Sequence, residues 1–161
     1  MIKIRKAQPS DADEIWNIIE PVINAGDTYT FAPGSSKEKM VSYWLGHDKH
    51  SYVAMLDGKI AGTFIMKDNQ PGLGSHIANA SYMVHPDYAG RGLGKAMGEF
   101  SIMEAKHLNY HAMQFNIVIK TNESAVALWK KLGFEIIGEI PDAFNHIRYG
   151  LTNAYIMYRK L

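Results

Sequence analysis

Val84-His85-Pro86-Asp87-Tyr88-Ala89-Gly90-Arg91-Gly92-Leu93-Gly94-Lys95-Ala96 is the stretch that decides how this chain is read. An apolar run ending at Val84 and His85 meets Pro86, then three alternating glycines, and then a helical pattern begins at once. Glycine lacks a Cβ, so the chain can turn sharply there and bring its backbone close to a ligand. The first N–H groups of the following helix have no partner inside it and lie at the positive end of its dipole. Such a strand–loop–helix junction suits a phosphate, and Arg91 and Lys95 add charge beside it. A tight strand-to-helix turn with solvated basic residues is the plainer reading of the same residues.

The spacing narrows the ligand. A Walker loop needs four residues between its first glycine and Gly-Lys-[Ser/Thr], whereas three separate Gly90 from Gly94, and Ala96 cannot ligate magnesium. A dinucleotide fingerprint needs Gly-x-Gly-x-x-Gly, which Gly90, Gly92 and Gly94 do not form.

Outward from the loop, the periodicity predicts one α/β domain spanning residues 1–161. A strand begins at Ile2, Ile4 and Arg5. A helix follows, capped by Ser10 with Asp13 closing a capping box, and Ala12, Ile15, Trp16, Ile19 and Ile23 form its buried face. Residues 26–36 read as an aromatic loop in which Tyr29 and Phe31 either cover a substrate or simply pack. A second helix covers Lys37 to Leu45, with Met40, Tyr43 and Trp44 inward. Asp57-Gly58 marks a hairpin over Tyr52 to Met66, and a third strand runs from His76 to His85. The helix after Gly92 carries Leu93, Met97, Phe100 and Met103 on one stripe and extends to His107. Then come a strand over Ala112 to Ile119, a helix with Ala125, Leu128, Trp129 and Leu132 stopped by Gly133, and strands over Ile136 to Ile140 and Ala154 to Tyr158. Hairpins among interleaved helices make the sheet mixed, of about seven strands with about four helices.

Composition limits what the chain does. Across 161 residues the formal net charge is +1, so no overall field recruits nucleic acid or an anionic membrane. With no cysteine, disulfides, thiolate nucleophiles and Cys-ligated zinc are excluded. His107 and His111 share an i,i+4 spacing, but Asn109-Tyr110 falls where the helix should end, and no metal site is read. The N-terminal segment lacks the apolar run of a signal peptide, and nothing approaches the roughly 18 apolar residues of a membrane span. A cytoplasmic protein is the expectation.

The glycine segment resembles motif A of the GNAT superfamily of N-acetyltransferases, Arg/Gln-x-x-Gly-x-Gly/Ala, on Ala89 to Gly94. Asn122-Glu123-Ser124-Ala125-Val126-Ala127-Leu128-Trp129-Lys130-Lys131-Leu132-Gly133-Phe134 is similar to the family's later signature, Asn-x-x-Ala-x-x-Leu-Tyr-x-Lys-x-Gly-Phe. The resemblance covers almost the whole chain. It implies a twisted mixed sheet with a splayed cleft for acetyl-CoA, the cosubstrate, and acetyl transfer by direct attack of an amine. It also implies that Met83 and Val84 polarise the acetyl carbonyl through their backbones. Arg91, Gly92, Leu93, Gly94, Lys95 and Ala96 would then hold the phosphates, with Asn122 and Trp129 contacting the rest of the cofactor. Many members are homodimers.

Two positions depart from the pattern. Ala89 stands where Arg or Gln is usual, removing a side chain that helps to hold the pyrophosphate. Trp129 stands where a tyrosine commonly protonates the leaving thiolate, which an indole cannot do. On Asn79-Ala80-Ser81-Tyr82-Met83-Val84 and Met113-Gln114-Phe115-Asn116 the chain looks most like the proline-analogue (azetidine-2-carboxylate) acetyltransferases. This implies a small-molecule amine, an amino or imino acid, with Asn79 and Asn116 holding its carboxylate and reacting centre. A protein amine or an aminoglycoside as acceptor, and a non-catalytic CoA-binding module, stay open beside it. Each residue has a structural reading too: Asn122 as a helix N-cap, Trp129 as core, and Tyr82, Tyr88 and His85 as packing rather than proton-transfer groups.

Overall fold

The computed structural model describes residues 1–161. Its strands are β1 (Ile2–Lys6), β2 (His50–Leu56), β3 (Lys59–Asp68), β4 (Ile77–Val84), β5 (Ala112–Ile119), β6 (Glu135–His146) and β7 (Gly150–Lys160). Its helices are α1 (Ala12–Ala25), α2 (Lys37–Trp44), α3 (Leu93–His107) and α4 (Glu123–Lys131). The strands form one sheet in the order β1-β2-β3-β4-β5-β7-β6. Every neighbouring pair is antiparallel except β4 and β5. The mixed fold, the seven strands and the four helices are as expected.

Alternation along the strands gives the sheet two apolar faces. On one, Ile15, Ile18, Ile19 and Ile23 of α1 and Met40 and Trp44 of α2 pack on Val53, Ile65 and Met83. On the other, Leu93, Met97, Ile102 and Ala105 of α3 and Trp129 of α4 pack on Phe64, Met66, Ala78 and Phe115. The buried polar atoms of the first face are paired: Trp44 Nε1 donates to Thr63 Oγ1 at 2.9 Å, which donates to the Tyr52 carbonyl at 2.7 Å. The two helical layers thus approach β4 from opposite sides. No helix is long and apolar enough to cross a membrane.

Several expectations are corrected. Ser10 caps nothing: it lies inside a 3-10 turn over Pro9–Asp11, and the Gln8 N–H donates to Asp11 Oδ2 at 2.7 Å. Asp11 also takes both arms of the Arg5 guanidinium, at 2.8 and 3.0 Å, while Asp13 pairs with Lys37 instead. Met103 is 57% exposed. At 3.6 residues per turn it lies about 200° around α3 from the buried Ser101, so a stripe stepped by threes drifts off the core face. Trp16 and Tyr43 are half-buried rather than core, and Ile18 takes a place on the α1 face. The last two strands run well beyond Ile136–Ile140 and Ala154–Tyr158, because Asp142, at φ 52°, lies in a register shift between Ile140 and Phe144 that breaks the alternation.

Candidate functional site

β4 and β5 pair at only two positions, Ile77 with Ala112 and Ala78 with Met113. Beyond them β5 follows β7, with a register shift between Phe115 and Val118, and the rest of β4 is left with an open edge. The direction of its backbone groups follows from the ladder on the other side. Asn69 N–H donates to the Ile77 carbonyl and His85 N–H to the Ala61 carbonyl, each at 2.8 Å. Antiparallel bonding alternates, so residues 77, 79, 81, 83 and 85 face β3, while 80, 82 and 84 face the gap.

This corrects one expected role. Met83 N–H belongs to the β3 ladder opposite Thr63, and its side chain is buried, so Val84 and Tyr82 present the amides that face the opening. Ala80 N–H is satisfied by Asn79 Oδ1 at 2.8 Å. Tyr82 N–H donates to the Tyr29 hydroxyl at 2.8 Å, and that hydroxyl donates to the Tyr82 carbonyl. Burial pushes the Tyr29 phenol up to about 12, partly opposed by its bond to Tyr82, so it stays neutral near physiological pH.

After β4, a short turn over Pro86–Tyr88 leads into the glycines. Gly90 and Gly92 have φ of 76° and 84°, and a Cβ on either would meet no atom within 4 Å. The left-handed backbone requires glycine, and open space lies beside it. The first α3 bond runs from Ala96 N–H to the Gly92 carbonyl at 3.0 Å. The N–H groups of Leu93, Gly94 and Lys95 precede that bond and are the amides free for an anion. Ala96 is therefore corrected: its N–H is spent within the helix. The Leu93 side chain is 1% exposed in the core, so only its backbone is available. Arg91 is exposed, with its guanidinium 5.8 Å from the Tyr88 ring centroid, and Lys95 lies 3.9 Å from Glu99.

A cleft of about 860 Å³ runs through the splay. Asn79, Met83, Val84, Gly94, Asn116, Asn122 and Trp129 line it together; Arg91, Gly92, Leu93, Lys95 and Ala96 do not, the glycine loop continuing beyond its Ala89 and Gly94 wall. Asn122 occupies the N-cap position of α4 without capping it, its Oδ1 accepting from Ser124 Oγ at 3.3 Å. Trp129 is 8% exposed, with ring centroids 4.6 Å from Phe115 and 4.8 Å from Tyr82. A Cβ on Gly98 would come within 3.0 Å of the indole and 2.6 Å of Leu132 Cδ1, so this glycine sets the approach of α3 to α4. Trp129 is a packed wall of the cleft.

Toward the α1 and α2 face the wall changes character. Asn116 Nδ2 donates to Asn69 Oδ1 at 2.8 Å, and its Oδ1 accepts from Gln114 Nε2 at 3.0 Å. Asn79, Ser81 and Lys67 line the same side, with Tyr29 and Phe31 from the loop before α2. The loop is braced by Ile147 N–H on the Gly26 carbonyl at 3.2 Å and Gly34 N–H on Asn24 Oδ1 at 2.8 Å. The Tyr82 hydroxyl is engaged with Ser101 Oγ at 2.6 Å on the α3 side, and burial raises its pKa and keeps it protonated. His85 Nδ1 accepts from Asp87 N–H at 3.1 Å, a local turn contact. Lys67 and Asn69 escaped the sequence reading, which ended this strand at Met66. Their only signal is that Lys67 continues the alternation of Thr63 and Ile65.

The family model described as the acetyltransferase (GNAT) family matches residues 14–134. The chain is 34% identical over 106 residues to the N-acetyltransferase aca1 of Schizosaccharomyces pombe, across 64% of this chain and 51% of the relative. It thus spans about half the length of that relative. A Yersinia pestis acetyltransferase is 30% identical over 106 residues, across 64% of this chain and 70% of the relative. Among solved structures, a GCN5-related N-acetyltransferase from Kribbella flavida superposes with a TM-score of 0.94 at 36% identity, covering 99% of this chain and 98% of that one. A phosphinothricin acetyltransferase from Sinorhizobium meliloti, solved with acetyl-CoA, shares the fold at a TM-score of 0.87 and 21% identity, over 99% and 88% of the two chains.

Proposed function

Since this chain belongs to the GNAT family of acetyltransferases, we propose that it transfers acetyl from acetyl-CoA to the amine of a small molecule, an amino or imino acid, by direct attack. The observation that carries the reading is the early parting of β4 and β5, which leaves an open β4 edge on a cleft continuous with the free amides of α3.

The residues suit the parts such a reaction needs. The Val84 N–H, with that of Tyr82 once its phenol partner is released, polarises a thioester carbonyl and stabilises the oxyanion that forms on attack. The N–H groups of Leu93, Gly94 and Lys95 receive the pyrophosphate at the helix terminus, and positive φ at Gly90 and Gly92 brings the backbone within reach. Bound acetyl-CoA supplies the activated acetyl group. A thiol pKa of about 8.5 lets the thiolate leave without a dedicated acid near neutral pH, so tryptophan at 129 is compatible with the transfer. Asn116, held by Asn69 and Gln114, orients the acceptor. A cleft wall with a single carboxylate, Asp27, offers little to a polycationic acceptor such as an aminoglycoside.

The test is free-thiol release from acetyl-CoA in the presence of amino acids, imino acids, peptide N-termini and aminoglycosides. Stimulation by a small amino or imino acid is the expected result. Stimulation by peptides alone would move the acceptor to a protein. Calorimetric acetyl-CoA binding with no acceptor in any class would make this a binding module.

A further inference from the structure

Of the residues lining the cleft, only Asp27 and Lys67 carry a formal charge. Lys67 lies on β3 directly opposite Asn79 of β4. Both belong to the set that faces α1 and α2, with Ile65 and Ser81 as neighbours along the strands, and both are half-buried. The ammonium of Lys67 takes part in none of the chain's ion pairs. Its nearest aromatic is the Tyr43 ring, 5.9 Å away, which Lys49 already approaches at 4.1 Å. A half-buried cation on a largely apolar wall without a counter-charge is a ready partner for an anionic ligand.

The donor's phosphates are not that anion. They would sit at the start of α3, which packs on the Phe64 and Met66 face of the sheet, whereas Lys67 projects from the opposite face. Asn79 supplies a second donor. Its Oδ1 is committed to the Ala80 N–H at 2.8 Å, which leaves Nδ2 free to donate. Directly opposite residues on antiparallel strands have Cβ atoms about 5 Å apart, so the two side chains rise side by side and a single carboxylate can accept from both.

We propose that Lys67, with Asn79 Nδ2 beside it, binds the carboxylate of the acetyl acceptor and so selects amino or imino acids over simple amines and peptide N-termini. The inference rests on the acetyltransferase reading above and adds the residue that sets its specificity. Lys67 is a positioning group: it anchors the end of the acceptor remote from the attacking nitrogen.

The test pairs each acid with its own carboxamide, using proline, azetidine-2-carboxylate, alanine and glycine as probes. Wild type, Lys67→Gln and Lys67→Arg are compared by thiol release, and acetyl-CoA binding by each is measured by calorimetry. At least one acid should show a KM lower than its amide by about tenfold or more, the worth of a charge-assisted hydrogen bond. Lys67→Gln should erase that preference while leaving acetyl-CoA affinity unchanged, and Lys67→Arg should restore part of it. Equal use of acids and amides by wild type, or a loss in Lys67→Gln that is the same for both, overturns the carboxylate role and leaves the acetyltransferase reading standing. Thiol release stimulated only by peptides, or by nothing, overturns it as well, and the calorimetry then reports separately whether the acetyl-CoA site survives.

Discussion

The Tyr29 hydroxyl bonds both main-chain groups of Tyr82, accepting from its N–H at 2.8 Å and donating to its carbonyl. It stands where a further rung of a β4–β5 ladder, beyond Ala80, would be had the strands stayed together. A ligand that pairs with this edge must take Tyr29's place, and the loop that carries Tyr29 also lines the cleft with Asp27, Thr30 and Phe31. Tyr29→Phe should destabilise the free protein by about 1–2 kcal/mol, the value of hydrogen bonds lost at a half-buried site. Because acetyl-CoA no longer competes with the phenol, its affinity should rise several-fold in the variant, measured by calorimetry. With the phenol's pKa pushed up to about 12 by burial, the substitution should remove no limb from a rate profile between pH 6 and 10.

Gly92 separates the loop's conformational need from its packing. Its φ of 84° disfavours any other residue by about 1–2 kcal/mol, yet a Cβ would meet nothing inside the protein. Gly92→Ala should therefore cost about that much in thermal or denaturant unfolding. The KM for acetyl-CoA should rise by about tenfold or more, because the Cβ enters the space beside the free α3 amides.

Trp129 should behave as a structural wall. Its contacts with Phe115, Tyr82 and Phe134 are those of a core aromatic, and an indole offers no acid. Trp129→Phe should lower stability by about 1–2 kcal/mol through lost packing and leave kcat within a fewfold of wild type. A loss of kcat beyond about a hundredfold, with folding intact by circular dichroism, would give the indole a chemical role it is denied here.

Asn116 should matter for turnover more than for the donor. Asn116→Ala is expected to reduce kcat by about tenfold or more while the calorimetric affinity for acetyl-CoA changes little. Asn69→Ala, which removes the acceptor for Asn116 Nδ2, should reproduce part of the loss.

Away from the cleft, Asp11 ties the start of α1 to β1. The Arg5 side chain, then the Gln8 N–H, hold its carboxyl below the usual carboxylate range against the opposing effect of burial. The folded protein thus releases this proton more readily than the unfolded chain. The stabilisation is complete above the unfolded pKa of about 3.9 and is lost as pH falls through the folded value. Asp11→Asn should cost about 2 kcal/mol at pH 7. The gap between the two stability curves should stay constant above about pH 5 and close below about pH 4.

Much of this architecture is legible in the chain because local chemistry and global fold agree there. Asp57-Gly58, both at positive φ, announces the β2–β3 hairpin, and the alternating glycines announce the strand-to-helix junction. Elsewhere the determinant is tertiary. Whether β4 keeps or loses β5 is decided by the competing β7 ladder and the irregularity after Phe115, which no local pattern marks. Met83 and Val84 look equivalent as a sequence, and only the register against Thr63 assigns one amide to the sheet and the other to the cleft. Tyr29 is far from β4 along the chain, so its bond to Tyr82 is invisible to periodicity. Asp11, rather than Ser10, anchors α1 because Arg5 reaches it from β1.

Amide hydrogen exchange, residue by residue, with and without acetyl-CoA, reports whether the ligand lies along the open β4 edge. New protection is expected at Val84 and at Leu93, Gly94 and Lys95, with a change at Tyr82 as its partner passes from Tyr29 to the ligand. Met83, held by β3 in either state, should not change. Saturating acetyl-CoA that left Val84 and the α3 amides exchanging as before would contradict this placement, for the ligand would then lie elsewhere than in the splay between β4 and β5.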